Sequence, residues 1–158
     1  MANKNLIGID AAQAQQLADK LNTLLANYQL FYINTRGFHW NISGNKFFEL
    51  HAKFEELYDD AIIKIDEIAE RILTLGHKPF HTFTTYLAHA TIKEVSDVSD
   101  GDTAVQEVLN GFSVLLGLER ELLVLSSDAN DEGTNALMSD YIREQEKLVW
   151  MYSAYLKE

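Results

Sequence analysis

From Asp10 to about His39 the chain repeats apolar side chains at intervals of three and four, through Leu17, Leu21, Leu24, Leu25, Tyr28 and Phe31. That spacing predicts one long helix with a single buried stripe. Asp10 followed by Gln13 resembles a capping box and marks its start. The segment NISGN then interrupts the pattern with glycine and small polar residues that favour a turn. A second helix is predicted from about Lys46 to Leu75, with Phe47, Leu50, Phe54, Leu57, Tyr58, Ile62, Ile65, Ile68, Ile72 and Leu73 as its apolar side. Gly76 ends it as a C-cap, and Pro79 cannot continue it.

Between His77 and Asp102 the pattern weakens: FTTYLAHA predicts a short crossover helix, and SDVSDGD a loop. Thr103 with Gln106 forms another capping box, opening a third long helix through VLNGFSVLLGLERELLVL. Gly111 and Gly117 each disfavour that helix by about 1 kcal/mol, too little to break it. SSDANDEG is polar punctuation, and Leu137, Met138, Tyr141, Leu148, Trp150 and Met151 place a last helix over Thr134 to Tyr155. The expectation is all-α: a four-helix bundle of one domain over 1–158, with short connections between antiparallel neighbours and a long crossover, holding a short helix, between helices two and three.

Composition narrows the chemistry. With 158 residues and 47% hydrophobic side chains the chain can bury a core without a staple, and it has no cysteine for a disulfide or a thiolate metal site. No apolar run reaches a membrane span, and MANKNLIGID lacks a secretory h-region, so cytoplasmic residence is expected, nucleoid association included. A net charge of −11 opposes binding to a phosphate backbone, while acidic surfaces concentrate cations.

The second helix carries more ligand-type side chains than a core requires. At 100° per residue, with His51 at zero, Glu55 falls at about 40°, Asp66 at about 60° and Glu70 at about 100°, one quarter of the circumference. Glu49, Glu56, Asp59, Asp60 and Glu67 mostly fall elsewhere and fit a solvated face. Glu55 and Asp66 are about 16 Å apart along the axis, which no single ion spans. Two pairs therefore result, His51 with Glu55 and Asp66 with Glu70, each at i, i+4 spacing. Two copies of the helix packed antiparallel about a two-fold axis would bring the histidine end of one to the carboxylate end of the other, twice per dimer. Separate surface charges are the alternative. His39, across the glycine turn, can join His51 on one rim. Imidazoles with carboxylates suit iron, zinc, cobalt or manganese. Glu-x-x-His, the pair that di-iron bundles use, occurs nowhere in the chain.

The segment TRGFHWNISGNKFFELHAKFEELYDDAIIKIDEIAERILTLG closely resembles the signature of the Dps family, the mini-ferritins named for DNA protection in starved cells. EKLVWMYSAYL resembles the family's last helix more loosely, so that the likeness covers nearly the whole chain. The resemblance implies a ferritin-like subunit in a hollow shell of twelve, with ferroxidase centres at two-fold interfaces. His39 and His51 would come from one subunit and Asp66 and Glu70 from its mate. Glu55 would be a ligand to a second metal or a partner to a ligand. Two irons per centre are implied, with zinc or another divalent ion as a resting occupant. The implied activity is oxidation of Fe(II), by hydrogen peroxide in preference to dioxygen, with ferric mineral stored inside.

Trp40, beside His39, is either a quencher of stray oxidising equivalents or a large structural aromatic. Asp128, Asp131 and Glu132 stand where the family lines its three-fold pores, and helix capping explains loop acids there equally well. DNA-binding members use lysine-rich tails. Ahead of Asp10 this chain has only Lys4 and the terminal amine, and YLKE adds no basic tail, so direct DNA binding is expected to be weak or absent. A nucleoid-compacting shell without significant ferroxidase activity is the alternative, and a purely helical scaffold a third. His77 stands where relatives often have glycine, and with His81 and His89 it has no matched metal partner.

Overall fold

The structure, a computed structural model, describes residues 3–157; Met1, Ala2, Glu158 and the terminal amine lie outside them. Five helices follow in order: α1 (Ala11–Asn41), α2 (Phe47–Thr74), α3 (Phe83–His89), α4 (Gly101–Asp128) and α5 (Glu132–Tyr155). The expected all-α bundle with a short helix in its crossover is what forms. The start of α4, Gly101, packs close to Leu50 near the start of α2, Ile42 after α1 and Tyr155 at the end of α5. Hence α2 and α4 run parallel, each antiparallel to α1 and α5, the arrangement that a long crossover permits.

The ends of the helices are set by side-chain chemistry. The Asp10 carboxylate accepts from the backbone N–H groups of Ala12 and Gln13, but the Gln13 amide reaches across to the Asp128 carbonyl, 3.1 Å away, so the expected box is half built. Helix α4 starts two residues before Thr103, because Asp100 is its cap and accepts from both the backbone and the hydroxyl of Thr103, at 2.9 and 2.7 Å. The polar SSDANDEG stretch is mostly helical: α4 runs through Asp128 and α5 begins at Glu132, with Asn130 at φ +56° making the reversal. At Gly76, φ +89°, the N–H groups of Gly76 and His77 bond back to Leu73 and Ile72 and close α2 as a Schellman turn.

The core gathers Leu17, Leu21, Leu24, Leu25, Tyr28 and Phe31 of α1 with Leu50, Phe54, Leu57, Ile68 and Ile72 of α2, as the periodicity predicts. Four apolar residues expected there are instead exposed: Ile62, Leu73, Trp150 and Met151. Periodicity marks an apolar face without saying whether its own subunit covers it. Three buried asparagines of α1 hold the crossover. Asn22 donates to the Lys78 carbonyl and accepts from Phe80 N–H; Asn27 accepts from Thr91 and Ile92 N–H; Asn34 donates to the Lys93 carbonyl and accepts from Val95 N–H. Backbone groups that cannot join a helix ladder there find partners on the neighbouring helix.

Candidate metal centre

His39 lies in the last turn of α1 and His51 one turn into α2, on either side of the turn at 42–46, where Gly44 adopts φ +99°. The antiparallel register puts each imidazole against the other's backbone. His39 Nδ1 lies 2.7 Å from the His51 carbonyl, and His51 Nδ1 2.8 Å from the His39 carbonyl. A carbonyl oxygen only accepts, so each Nδ1 carries the hydrogen and donates it. In the neutral rings each Nε2 then keeps its lone pair, the tautomer a metal ligand needs. The two rings stack 3.8 Å apart at 14°, Phe47 stacks on His51 at 4.9 Å, and Tyr58 meets His39 edge-on at 5.3 Å. Both histidines are thus fixed in tautomer and orientation before any ion arrives.

The carboxylates stand differently. Glu55 is one turn after His51, whereas Asp66 and Glu70 lie further along α2, with about 22 Å of axis between His51 and Asp66. All three are exposed. The ion pairs of α2 run through Glu49, Glu56, Asp60, Lys64 and Arg71 and pass them by. Among the described residues, no three His, Asp or Glu side chains of one subunit converge on a common point. The structure therefore brings His39 and His51 together, with Glu55 adjacent, and leaves Asp66 and Glu70 apart. Exposed apolar side chains share this stretch of α2 with them: Ile62 is 49%, Ile63 58% and Leu73 57% exposed. Trp40, next to His39 in the chain, is 59% exposed with the Arg36 guanidinium 4.8 Å over its ring.

Of the three acids near the α4–α5 turn, Asp128 and Glu132 are exposed and Asp131 is buried. Asp131 caps α5, accepting from the Thr134 backbone, the Thr134 hydroxyl and, at 2.5 Å, the Arg71 guanidinium. The capping explanation fits that residue. His81 and His89 are exposed on the crossover, His89 against Phe80, and neither meets a second ligand among the described residues.

Sequence reasoning missed a polar cluster in the bundle's interior. Tyr28 donates to Glu119 Oε1 at 2.9 Å and accepts from the Gln145 amide. Burial pushes the Glu119 carboxyl up to about 7, against the hydrogen bonds of Tyr28 and Gln145 and the charges of Lys64 and Arg120. Burial, then Glu119, also holds the Tyr28 phenol well above its ordinary range. The signal lay in LLGLERELL: Glu119 sits on the same stripe as Leu115 and Leu122, where a carboxylate is out of place. Nearby, burial works against the charge on Lys64, but hydrogen bonds to Asp60 and Glu144 outweigh it and raise its pKa.

A family model for the ferritin-like domain matches residues 18–158. A Vibrio cholerae O1 crystal structure, described as a DPS protein of a broad superfamily of ferritin-like diiron-carboxylate proteins, superposes with a TM-score of 0.97 at 62% identity, over 99% of this chain and 98% of that one. A Porphyromonas gingivalis protein called DNA protection during starvation protein is 42% identical over 96% of this chain and 98% of its own length. An uncharacterised Haemophilus influenzae protein is 53% identical, over 96% and 95% respectively.

Proposed function

Since the chain belongs to the Dps family of ferritin-like proteins, we propose that it is a ferroxidase and iron store whose substrate, Fe(II), is oxidised at centres shared between two subunits. The observation that carries this reading is the histidine pair: two imidazoles with Nδ1 committed to backbone carbonyls, so that both Nε2 lone pairs are available to an ion. The same face of α2 carries Asp66 and Glu70, without partners among the described residues of the subunit, amid exposed Ile62, Ile63 and Leu73. A two-fold mate covering that apolar strip would bring its Asp66 and Glu70 to His39 and His51, with Glu55 beside them.

In that centre the neutral imidazoles hold ferrous ions and the carboxylates favour the harder ferric product. Two ferrous ions give one electron each, and hydrogen peroxide, the preferred oxidant, is reduced to water without release of hydroxyl radical. Ferric mineral collects inside a shell of twelve. Asp128 and Glu132, exposed at the α4–α5 turn, are the acids that would draw Fe(II) inward, and Trp40 would intercept stray oxidising equivalents. Zinc or another divalent ion suits the same donors at rest. With −11 per subunit, protection of DNA would come from removing iron and peroxide in the cytoplasm rather than from coating the nucleic acid. No helix among the described residues is long and apolar enough to cross a membrane.

The test is to load the protein anaerobically with Fe(II), add peroxide and fractionate by size. Ferric iron eluting with protein near the size of twelve subunits, with one peroxide consumed per two irons, is the expected result. Ferric precipitate separating from a small iron-free species would overturn it.

A further inference from the structure

The Tyr28–Glu119–Gln145 cluster is costly to stability. Glu119 is wholly buried, and both Glu119 Oε2 and Gln145 Oε1 are buried without a hydrogen-bond partner among the described residues. Each such orphan costs about 1–3 kcal/mol, and apolar residues of similar volume would avoid it. Both unpartnered atoms are acceptors, so the cluster is short of hydrogen. It is a place prepared to take up a proton.

Aromatic rings also lead from the histidine pair toward it. Tyr58 meets His39 edge-on at 5.3 Å, and Tyr32 meets Tyr58 edge-on at 6.0 Å. Arg36 donates to the Tyr32 hydroxyl at 2.7 Å, and its guanidinium, 5.8 and 5.6 Å from the Tyr32 and Tyr58 rings, disfavours holding an oxidising equivalent on either. Tyr28 is one turn before Tyr32 on the same side of α1, the i, i+4 relation of facing neighbours. Beyond Tyr28 the rings continue to Tyr141 at 6.2 Å, whose phenol donates to the exposed Glu67 carboxylate at 2.6 Å, but the Lys64 ammonium lies 5.0 Å from that ring and disfavours oxidising it. The path therefore ends most favourably at Tyr28, the tyrosine hydrogen-bonded to a buried carboxylate.

We infer that Tyr58, Tyr32 and Tyr28 form a path along which a single oxidising equivalent leaves the histidine site and is held, as a neutral tyrosyl radical, on Tyr28 beside Glu119. The inference rests on the ferroxidase reading for its oxidant. When peroxide meets one ferrous ion instead of two, that ion gives one electron, and hydroxide and hydroxyl radical result. An electron from Tyr28, passed through Tyr32 and Tyr58, reduces that radical to hydroxide. The Tyr28 O–H bond breaks, its proton crosses the 2.9 Å hydrogen bond to ionised Glu119 Oε1, and a new O–H bond forms there. A phenoxyl radical and a neutral carboxylic acid remain, so the pair passes from one negative charge to none as the electron departs. The upward shift of Glu119 makes it a stronger proton acceptor than an ordinary carboxylate. A later ferrous ion returns the electron, and the proton goes back.

The test is freeze-quench electron paramagnetic resonance of the assembled protein carrying one ferrous ion per centre, mixed with peroxide, while iron oxidation is followed by absorbance in the same samples. A tyrosyl signal is expected that is lost in Tyr28→Phe, at unchanged iron oxidation, and lost in Tyr58→Phe. Glu119→Gln, which keeps the packing but cannot take the proton, also loses it. An undiminished signal in Tyr28→Phe, or one with the signature of Trp40 alone, overturns the inference. Absence of iron oxidation would sink the ferroxidase reading, and a metal-free arm then decides the path by itself. Pulse-generated azide radicals oxidise exposed aromatic rings, and a tyrosyl fraction shielded from ascorbate is expected in the parent protein and missing in Tyr28→Phe. No shielded fraction, or the same fraction in the variant, overturns the path.

Discussion

The interior of the bundle and the outer face of α2 treat polar side chains in opposite ways. Inside, Asn22, Asn27 and Asn34 each satisfy crossover backbone, and Arg71, Asp131 and Thr134 satisfy one another. Outside, Glu55, Asp66 and Glu70 stand beside exposed isoleucines and leucine with no ion pair among the described residues of their own subunit. Interior polar groups with partners specify one arrangement of five helices. Surface ligand-type groups on an apolar strip specify what the subunit meets next. His39 and His51 lie at the border and share both characters, since each Nδ1 is satisfied by backbone within the subunit while each Nε2 keeps a lone pair.

That contrast predicts a double dissociation between chemistry and stability. Asp66→Ala should lower the rate of iron oxidation by more than about 100-fold, beyond the loss typical of a group that only supports a ligand. Its subunit stability should change by no more than about 0.5 kcal/mol. Stopped-flow absorbance and urea unfolding measure the two. A large loss of stability with the rate intact would break the contrast.

Glu119 is the interior exception, and pH should expose it. Its folded value of about 7 lies above the ordinary 4.5, so between those values the folded protein binds more protons than the unfolded chain. Stability should therefore be full below about pH 4.5 as far as this group is concerned, and decline as pH rises through 7, by on the order of 3 kcal/mol per subunit. Glu119→Gln should abolish this decline in unfolding measured at fixed subunit concentration. Asn27→Ala strands the N–H groups of Thr91 and Ile92 and should cost about 2 kcal/mol, with the iron oxidation rate of the assembled protein unchanged. The exposed Arg143–Asp140 pair belongs to neither class, and Arg143→Ala should shift stability by less than about 0.5 kcal/mol and leave oxidation alone.

Much of this was legible in the sequence because long helices repeat their apolar positions many times. Leu17, Leu21, Leu24 and Leu25 could hardly face anything but a core. Ile62, Leu73 and Trp150 obey the same spacing and yet are exposed, since periodicity finds an apolar face and cannot name the chain that covers it. Helix starts shifted where a cap two or three residues upstream competed better, as Asp100 did against Thr103. The histidine pair was legible from its place on either side of a glycine turn. The exchange of Nδ1 bonds was not, because it depends on the register between α1 and α2. Asparagines at 22, 27 and 34 look like a solvated edge until the crossover is laid against them.

The central claim is that one subunit supplies the histidines and its mate the carboxylates of each centre. His51→Ala and Asp66→Ala proteins, each inactive alone, should be unfolded together, refolded as a mixture and assayed for iron oxidation. Random pairing makes half of the dimers mixed, and each mixed dimer holds one centre with all ligands intact, so about one quarter of the parental rate should return. A mixture as inactive as its parents would contradict the shared centre.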